Sequence, residues 1–133
     1  MPESARAKVD LVMYEGATFS VSFQWQTDDD PPVPISLQDY TGIMHVRENI
    51  ADDEPLFELS TENGGIVISS PASDGIYTLY IAAEDTNGVC PEHELIVATY
   101  DLLLEKAGER VLQQYGTVKI YPSVTRITAP EEG

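Results

Sequence analysis

From Thr18 to Gln26 the chain alternates polar and apolar side chains without interruption, reading Thr-Phe-Ser-Val-Ser-Phe-Gln-Trp-Gln. Successive side chains of a β-strand point to opposite faces, so this spacing places Phe19, Val21, Phe23 and Trp25 together, with Ser20, Ser22, Gln24 and Gln26 opposite them. Burying one large apolar side chain is worth roughly 1.5 to 3 kcal/mol, and several in register predict a strand at the centre of a sheet. The same alternation recurs from Ala7 to Tyr14, with Val9, Leu11 and Met13 on one face, and from Thr41 to Arg47. It recurs again in Leu56 to Leu59, in Ile66 to Ile68, and in Ile76 to Ala82 with Tyr77, Leu79 and Ile81 in phase. Two longer stretches complete the set: Leu95 to Glu105, with Tyr100, Leu102 and Leu104 aligned, and Arg110 to Tyr121.

The segments between these strands carry turn chemistry. Glu15-Gly16-Ala17 is short enough to make its flanking strands either antiparallel neighbours or a tight corner between sheets. Asp28-Asp29-Asp30-Pro31-Pro32-Val33-Pro34 loses backbone donors to proline and repels itself, which makes it an exposed loop, and a second acidic loop runs from Asn49 to Pro55. Thr61-Glu62-Asn63-Gly64-Gly65 tolerates positive φ and predicts a hairpin between its two short strands. Lys106-Ala107-Gly108-Glu109 predicts another hairpin between the two long ones. Ala83-Glu84-Asp85-Thr86 fits a single helical turn stopped by Gly88 and Pro91.

About eight short strands, turn signals at close intervals and no long amphipathic helix predict an all-β fold: an antiparallel, immunoglobulin-like β-sandwich with one short helical turn. Phe19, Val21, Phe23, Trp25, Tyr100, Leu102, Leu104, Val118 and Ile120 are expected to share its core. The length of 133 residues suits one domain over 1–133, with flexible ends at about 1–6 and 127–133.

Composition narrows the function. Seven Lys and Arg against 23 Asp and Glu give a formal net charge of −16, which repels phosphate backbones and anionic lipid heads, so direct nucleic-acid binding is not expected. No apolar run approaches a membrane span and neither end reads as a secretory signal, so membrane insertion is not expected. Cys90 is the single cysteine, which excludes an internal disulfide and reads as an inert, semi-buried thiol.

No catalytic constellation stands out. His45 and His93 lack the close-spaced partners of a zinc motif, and Ser73-Asp74-Gly75 lacks the flanks of a nucleophile elbow. Asp28-Asp29-Asp30 and Asp52-Asp53-Glu54 carry carboxylates that calcium would accept, but without the alternating spacing of a calcium loop, so solvated loop charge is the expected reading. Trp25 falls in phase with Phe19, Val21 and Phe23, which favours core packing over a carbohydrate platform. No catalytic residue, cofactor or metal is therefore expected.

The order of motifs resembles small β-sandwich structural proteins of tailed bacteriophages and prophages, related to the N-terminal domain of baseplate upper proteins. The resemblance runs approximately from Val9 to Arg126. It is carried by Gly16-Ala17-Thr18-Phe19, Pro34-Ile35-Ser36-Leu37 with Tyr40-Thr41, Val46-Arg47, Thr61-Glu62-Asn63-Gly64-Gly65-Ile66, Ala83-Glu84-Asp85-Thr86, Tyr100-Asp101-Leu102 and Gly116-Thr117-Val118. The resemblance is to that N-terminal domain and does not extend to the long C-terminal part of a full baseplate upper protein.

What the resemblance implies is a non-enzymatic virion structural or adaptor protein of the tail, baseplate or neck, assembled in the host cytoplasm. It would contact other phage structural proteins through loops and strand edges. Capsid decoration is the nearest variant, and a carbohydrate- or calcium-binding module the alternative from another class. The candidate contact residues, in the two acidic loops, are Asp28, Asp29, Asp30, Val33, Ile35, Ile50, Asp52, Asp53 and Glu54. Like charge on every copy disfavours a strong homo-oligomer in isolation while leaving self-association within a virion open.

Overall fold

The computed structural model describes residues 7–27 and 29–125. The ends expected to be flexible, and Asp28 of the first acidic loop, lie outside the described residues. Among the described residues nine strands form two sheets: β1 (Ala7–Lys8), β2 (Leu11–Tyr14), β3 (Phe19–Gln24), β4 (Thr41–Arg47), β5 (Phe57–Ser60), β6 (Ile66–Ile68), β7 (Ile76–Ile81), β8 (Ile96–Lys106) and β9 (Glu109–Tyr121). One sheet has six strands in the order β1-β9-β8-β4-β5, with β2 also on β9, and the other has three in the order β3-β7-β6. This is the all-β, immunoglobulin-like sandwich that the alternation predicts. Helix is confined, among the described residues, to α1 (Ala83–Thr86), where a single turn was expected, and a 3-10 turn at Ala72–Asp74.

The core lies between the two sheets. Phe19 and Trp25 at the ends of the first alternating run are buried, as are Tyr77, Leu79 and Ile81 of β7 and Tyr100, Leu102, Leu104, Val118 and Ile120 of β8 and β9. Val21 and Phe23 are only partly buried and pack against this cluster, because β3 is an edge strand rather than a central one. The centre of the fold is instead the β8–β9 hairpin. It follows the expected register except for a bulge opposite Leu102 and Leu103. An extra residue in one strand turns two consecutive side chains the same way, which is why Gln113 and Gln114 are both buried.

Of the two short connections, one takes an expected form and the other does not. The Glu15-Gly16-Ala17 turn makes a corner: β2 joins β9 in the six-stranded sheet while β3 joins β7 in the other. The first two strands run parallel to β9, so the sandwich is not purely antiparallel.

The strands on either side of Thr61–Gly65 do not pair with one another, since β5 pairs with β4 and β6 with β7. That segment crosses between sheets, which corrects the hairpin reading. The crossing is tight: a Cβ on Gly65 would lie 2.7 Å from Leu59 Cβ, so only glycine lets the chain pass. Asn63 fixes the crossing by accepting from Ser60 N at 2.9 Å and donating from Nδ2 to Glu58 O at 2.9 Å.

Buried polar groups tie the sheets together. Tyr77 of the smaller sheet donates its hydroxyl hydrogen to Gln114 Oε1 of the larger. Gln114 Nε2 donates to the Tyr100 hydroxyl at 3.0 Å, and that hydroxyl donates to Val9 O at 2.6 Å. Burial disfavours the phenolate and pushes both tyrosine pKa values up; at Tyr100 the Gln114 bond opposes this and the charge of Asp10 adds to it.

Candidate functional site

The two predicted contact loops do not form one surface. Segment 25–40 enters β4 at Thr41 and segment 48–56 leaves it at Arg47, so a seven-residue strand, roughly 20 Å long, separates them. In the first loop Thr27 Oγ1 donates to Asp29 Oδ2 at 2.9 Å and accepts from Val33 N at 3.0 Å, so the loop satisfies itself internally. Asp29, Asp30 and Val33 are exposed, whereas Ile35 is partly buried against the core and donates its N–H to Trp25 O at 2.8 Å. In the second, Asp52 Oδ2 accepts from Asn49 N at 3.1 Å, and Ile50, Asp53 and Glu54 project into solvent. Among the described residues no group of three or more His, Cys, Asp or Glu side chains is placed to hold a metal ion.

Isolated chemistry resolves into structural roles. Cys90 is buried, and burial followed by the negative charge of Glu15 raises its pKa, which keeps the thiol protonated and unreactive. His45 lies with Nε2 3.6 Å from Glu58 Oε1 and Nδ1 3.0 Å from Arg47 Nη1, a cross-strand arrangement on the outer face of the larger sheet. Trp25 is buried and meets Tyr40 edge-on at 5.7 Å, as core packing requires.

A different surface gathers apolar side chains in the open. On the outer face of the six-stranded sheet Val12 and Tyr14 of β2, Val97 of β8 and Tyr121 of β9 are all exposed, Tyr14 at 58% and Val97 at 51%. Leu95, immediately before β8, is exposed too. The register makes them neighbours: Tyr14 lies opposite Tyr121, and Lys119 lies opposite both Val12 and Val97. The rings of Tyr14 and Tyr121 stack with centroids 5.8 Å apart.

A clamp holds this end of the sandwich in shape. Glu15 accepts from Cys90 N at 3.0 Å and from Ser123 N at 3.0 Å, joining the β2–β3 corner to the segment before β8 and to the chain after β9. Thr86 Oγ1 accepts from Gly16 N at 2.7 Å and donates to Ala83 O at 2.8 Å, which docks α1 on the same corner.

The patch is apolar and aromatic around one lysine. Lys8 and Arg47 also stand on outward positions of this sheet, as do the acidic Asp101 and Glu58. Exposed apolar side chains gathered in this way make the face a candidate contact site. Sequence reasoning passed over it because each strand was read for its buried phase alone. The signal was present in Leu11-Val12-Met13-Tyr14, which is apolar on both faces, and in Leu95 and Val97, which are apolar out of phase with Tyr100, Leu102 and Leu104. Compared with known proteins, the chain matches no protein-family model and no curated sequence.

Proposed function

We propose that this chain is a non-enzymatic virion structural or adaptor protein of a tailed bacteriophage, contacting other structural proteins of the particle. The observation that carries the contact role is the exposed patch of Val12, Tyr14, Leu95, Val97 and Tyr121 around Lys119, built on strands rather than on loops. Aromatic residues on a stiff sheet give contact area at small entropic cost, and the surrounding negative charge keeps the free domain soluble. The virion assignment rests on the sequence resemblance, with which an immunoglobulin-like sandwich is in keeping. The acidic loops serve as solvating rim, and the patch takes over the central contact role that the loops were expected to fill.

Quantitative mass spectrometry of purified particles, from a phage or induced prophage encoding this chain, tests the reading. The expected result is a fixed copy number alongside the structural proteins. A chain found in infected cells and missing from the particles overturns it.

A further inference from the structure

Each sheet of a sandwich ends in edge strands, and proteins ordinarily protect these against pairing with a stray chain by shortness, charge, proline, bulges or cover. Three edges here are protected. The β1–β2 edge is broken between its two strands and carries Lys8 and Asp10. β5 has four residues, includes Glu58, and has its backbone capped by Asn63 at Ser60 N and Glu58 O. β6 has three residues.

β3 is different. It has six residues, Phe19–Gln24, contains no charge and no proline, and pairs with β7 in unbroken register. Among the described residues it pairs on one side alone. Trp25 N donates to Gly75 O, which places the odd-numbered residues of this ladder in hydrogen bonding with the β7 side; by alternation the backbone groups of Ser20, Ser22 and Gln24 face the open side. Among the described residues no hydrogen bond reaches those groups from outside the ladder.

The open side borders a groove. β2 and β3 sit at the corresponding edges of the two sheets, and between them lies a space of about 360 Å³ lined by Leu11, Met13, Phe19 and Val21 among others, with Asp10 as its one charged side chain. The groove thus joins unpaired backbone on one wall to apolar side chains within it. Those are the two things an added strand needs, ladder hydrogen bonds for affinity and pockets for alternate side chains.

We propose that the free edge of β3 is a strand-addition site for an extended segment of another protein, apolar at alternate residues and flanked by lysine or arginine. The alternate apolar residues enter the groove, and the basic flanks answer Asp10 and the net charge of −16. The same charge on every copy opposes a second copy of this chain in that place. The groove shares Val12 and Tyr14 of β2 with the aromatic patch, but the unpaired backbone of β3 lies outside that patch, and the proposal does not depend on the virion reading.

The test is amide hydrogen exchange of the full chain by NMR, with and without a synthetic peptide of alternating valine and threonine flanked by lysines. Saturating peptide is expected to slow exchange at Ser20, Ser22 and Gln24 by about tenfold or more, with β5 unaffected. Ser22→Pro removes an outward donor at an edge position that tolerates proline, and is expected to abolish the protection. Should that variant lose its fold, the same peptide with proline at its central threonine serves as the second control, and is expected to give no protection. Unchanged exchange at the three residues overturns the proposal, as does protection that maps to β5 or to the Tyr14–Tyr121 patch. Protection that appears with rising protein concentration and no peptide makes the occupant a second copy and overturns it equally.

Discussion

Tyr14 and Tyr121 stack across the parallel pairing of β2 with β9, their ring centroids 5.8 Å apart and both residues exposed. A stacked pair contributes about 0.5 to 1.5 kcal/mol beyond its burial, and less where water reaches both rings. Replacing both with serine should therefore lower folding stability by no more than about 1.5 kcal/mol in urea titrations. A larger loss would mean that the pair is there to hold β2 in place and not to meet a partner.

The Tyr77–Gln114 bond makes the opposite prediction, because both groups are buried. Tyr77→Phe removes the donor and leaves the amide oxygen with one partner fewer, which should cost about 1 to 3 kcal/mol. The pH dependence follows from the raised pKa. The unfolded tyrosine ionises near its ordinary value of 10.0 while the folded one stays protonated, so the unfolded state binds fewer protons above that pH. Stability should hold below pH 10 and fall as pH rises through and beyond it, and Tyr77→Phe should make that fall shallower. Equal alkaline slopes for the two proteins would contradict the assignment.

Gly116 lies where β1 gives way to β2, and a Cβ there would stand 2.3 Å from Val9 O. That carbonyl is also the acceptor for Tyr100. Gly116→Ala should push the first strands off β9, costing about 2 kcal/mol or more, and should expose the Tyr100 hydroxyl to solvent. Thermal melts together with the tyrosine near-ultraviolet signal would show both effects; an unchanged melt would rule out the close approach.

Charge governs self-association. With −16 on each copy the purified chain should sediment as a monomer or weak associate at low salt, and added salt should promote association through the apolar patch by screening repulsion. A tight oligomer at low salt without a partner would contradict this.

Much of the fold was legible in the chain. Phe19, Trp25, Tyr77, Leu102 and Ile120 are buried as their phase requires, and the β8–β9 hairpin and the α1 turn fall where turn residues place them. Strand partners were not legible. Alternation identifies a strand's buried face and is silent on which sheet receives it, so the Thr61–Gly65 crossing looked like a hairpin. The close packing of Gly65 on Leu59 becomes visible only in three dimensions.

The proposed contact surface was not legible for a related reason. The acidic loops drew attention through composition, but they lie at opposite ends of β4. The patch is assembled by register from β2 and the β8–β9 hairpin, far apart in sequence, and Leu11-Val12-Met13-Tyr14 together with Leu95 and Val97 betrayed it locally. Gln113 and Gln114 were hidden by the bulge, which breaks the period on which the reading depended.

The central claim, that this sheet face is covered by another protein in a virion, is tested most directly by the reactivity of Lys119. Amine labelling of the free chain and of purified particles, read out by mass spectrometry, compares the same side chain in the two settings. Lys119 should label readily in the free chain and be protected in the particle, while Lys106 at the far end of β8, remote from the patch, keeps its reactivity. Equal labelling of Lys119 in both settings, in particles that contain the chain, would contradict the account.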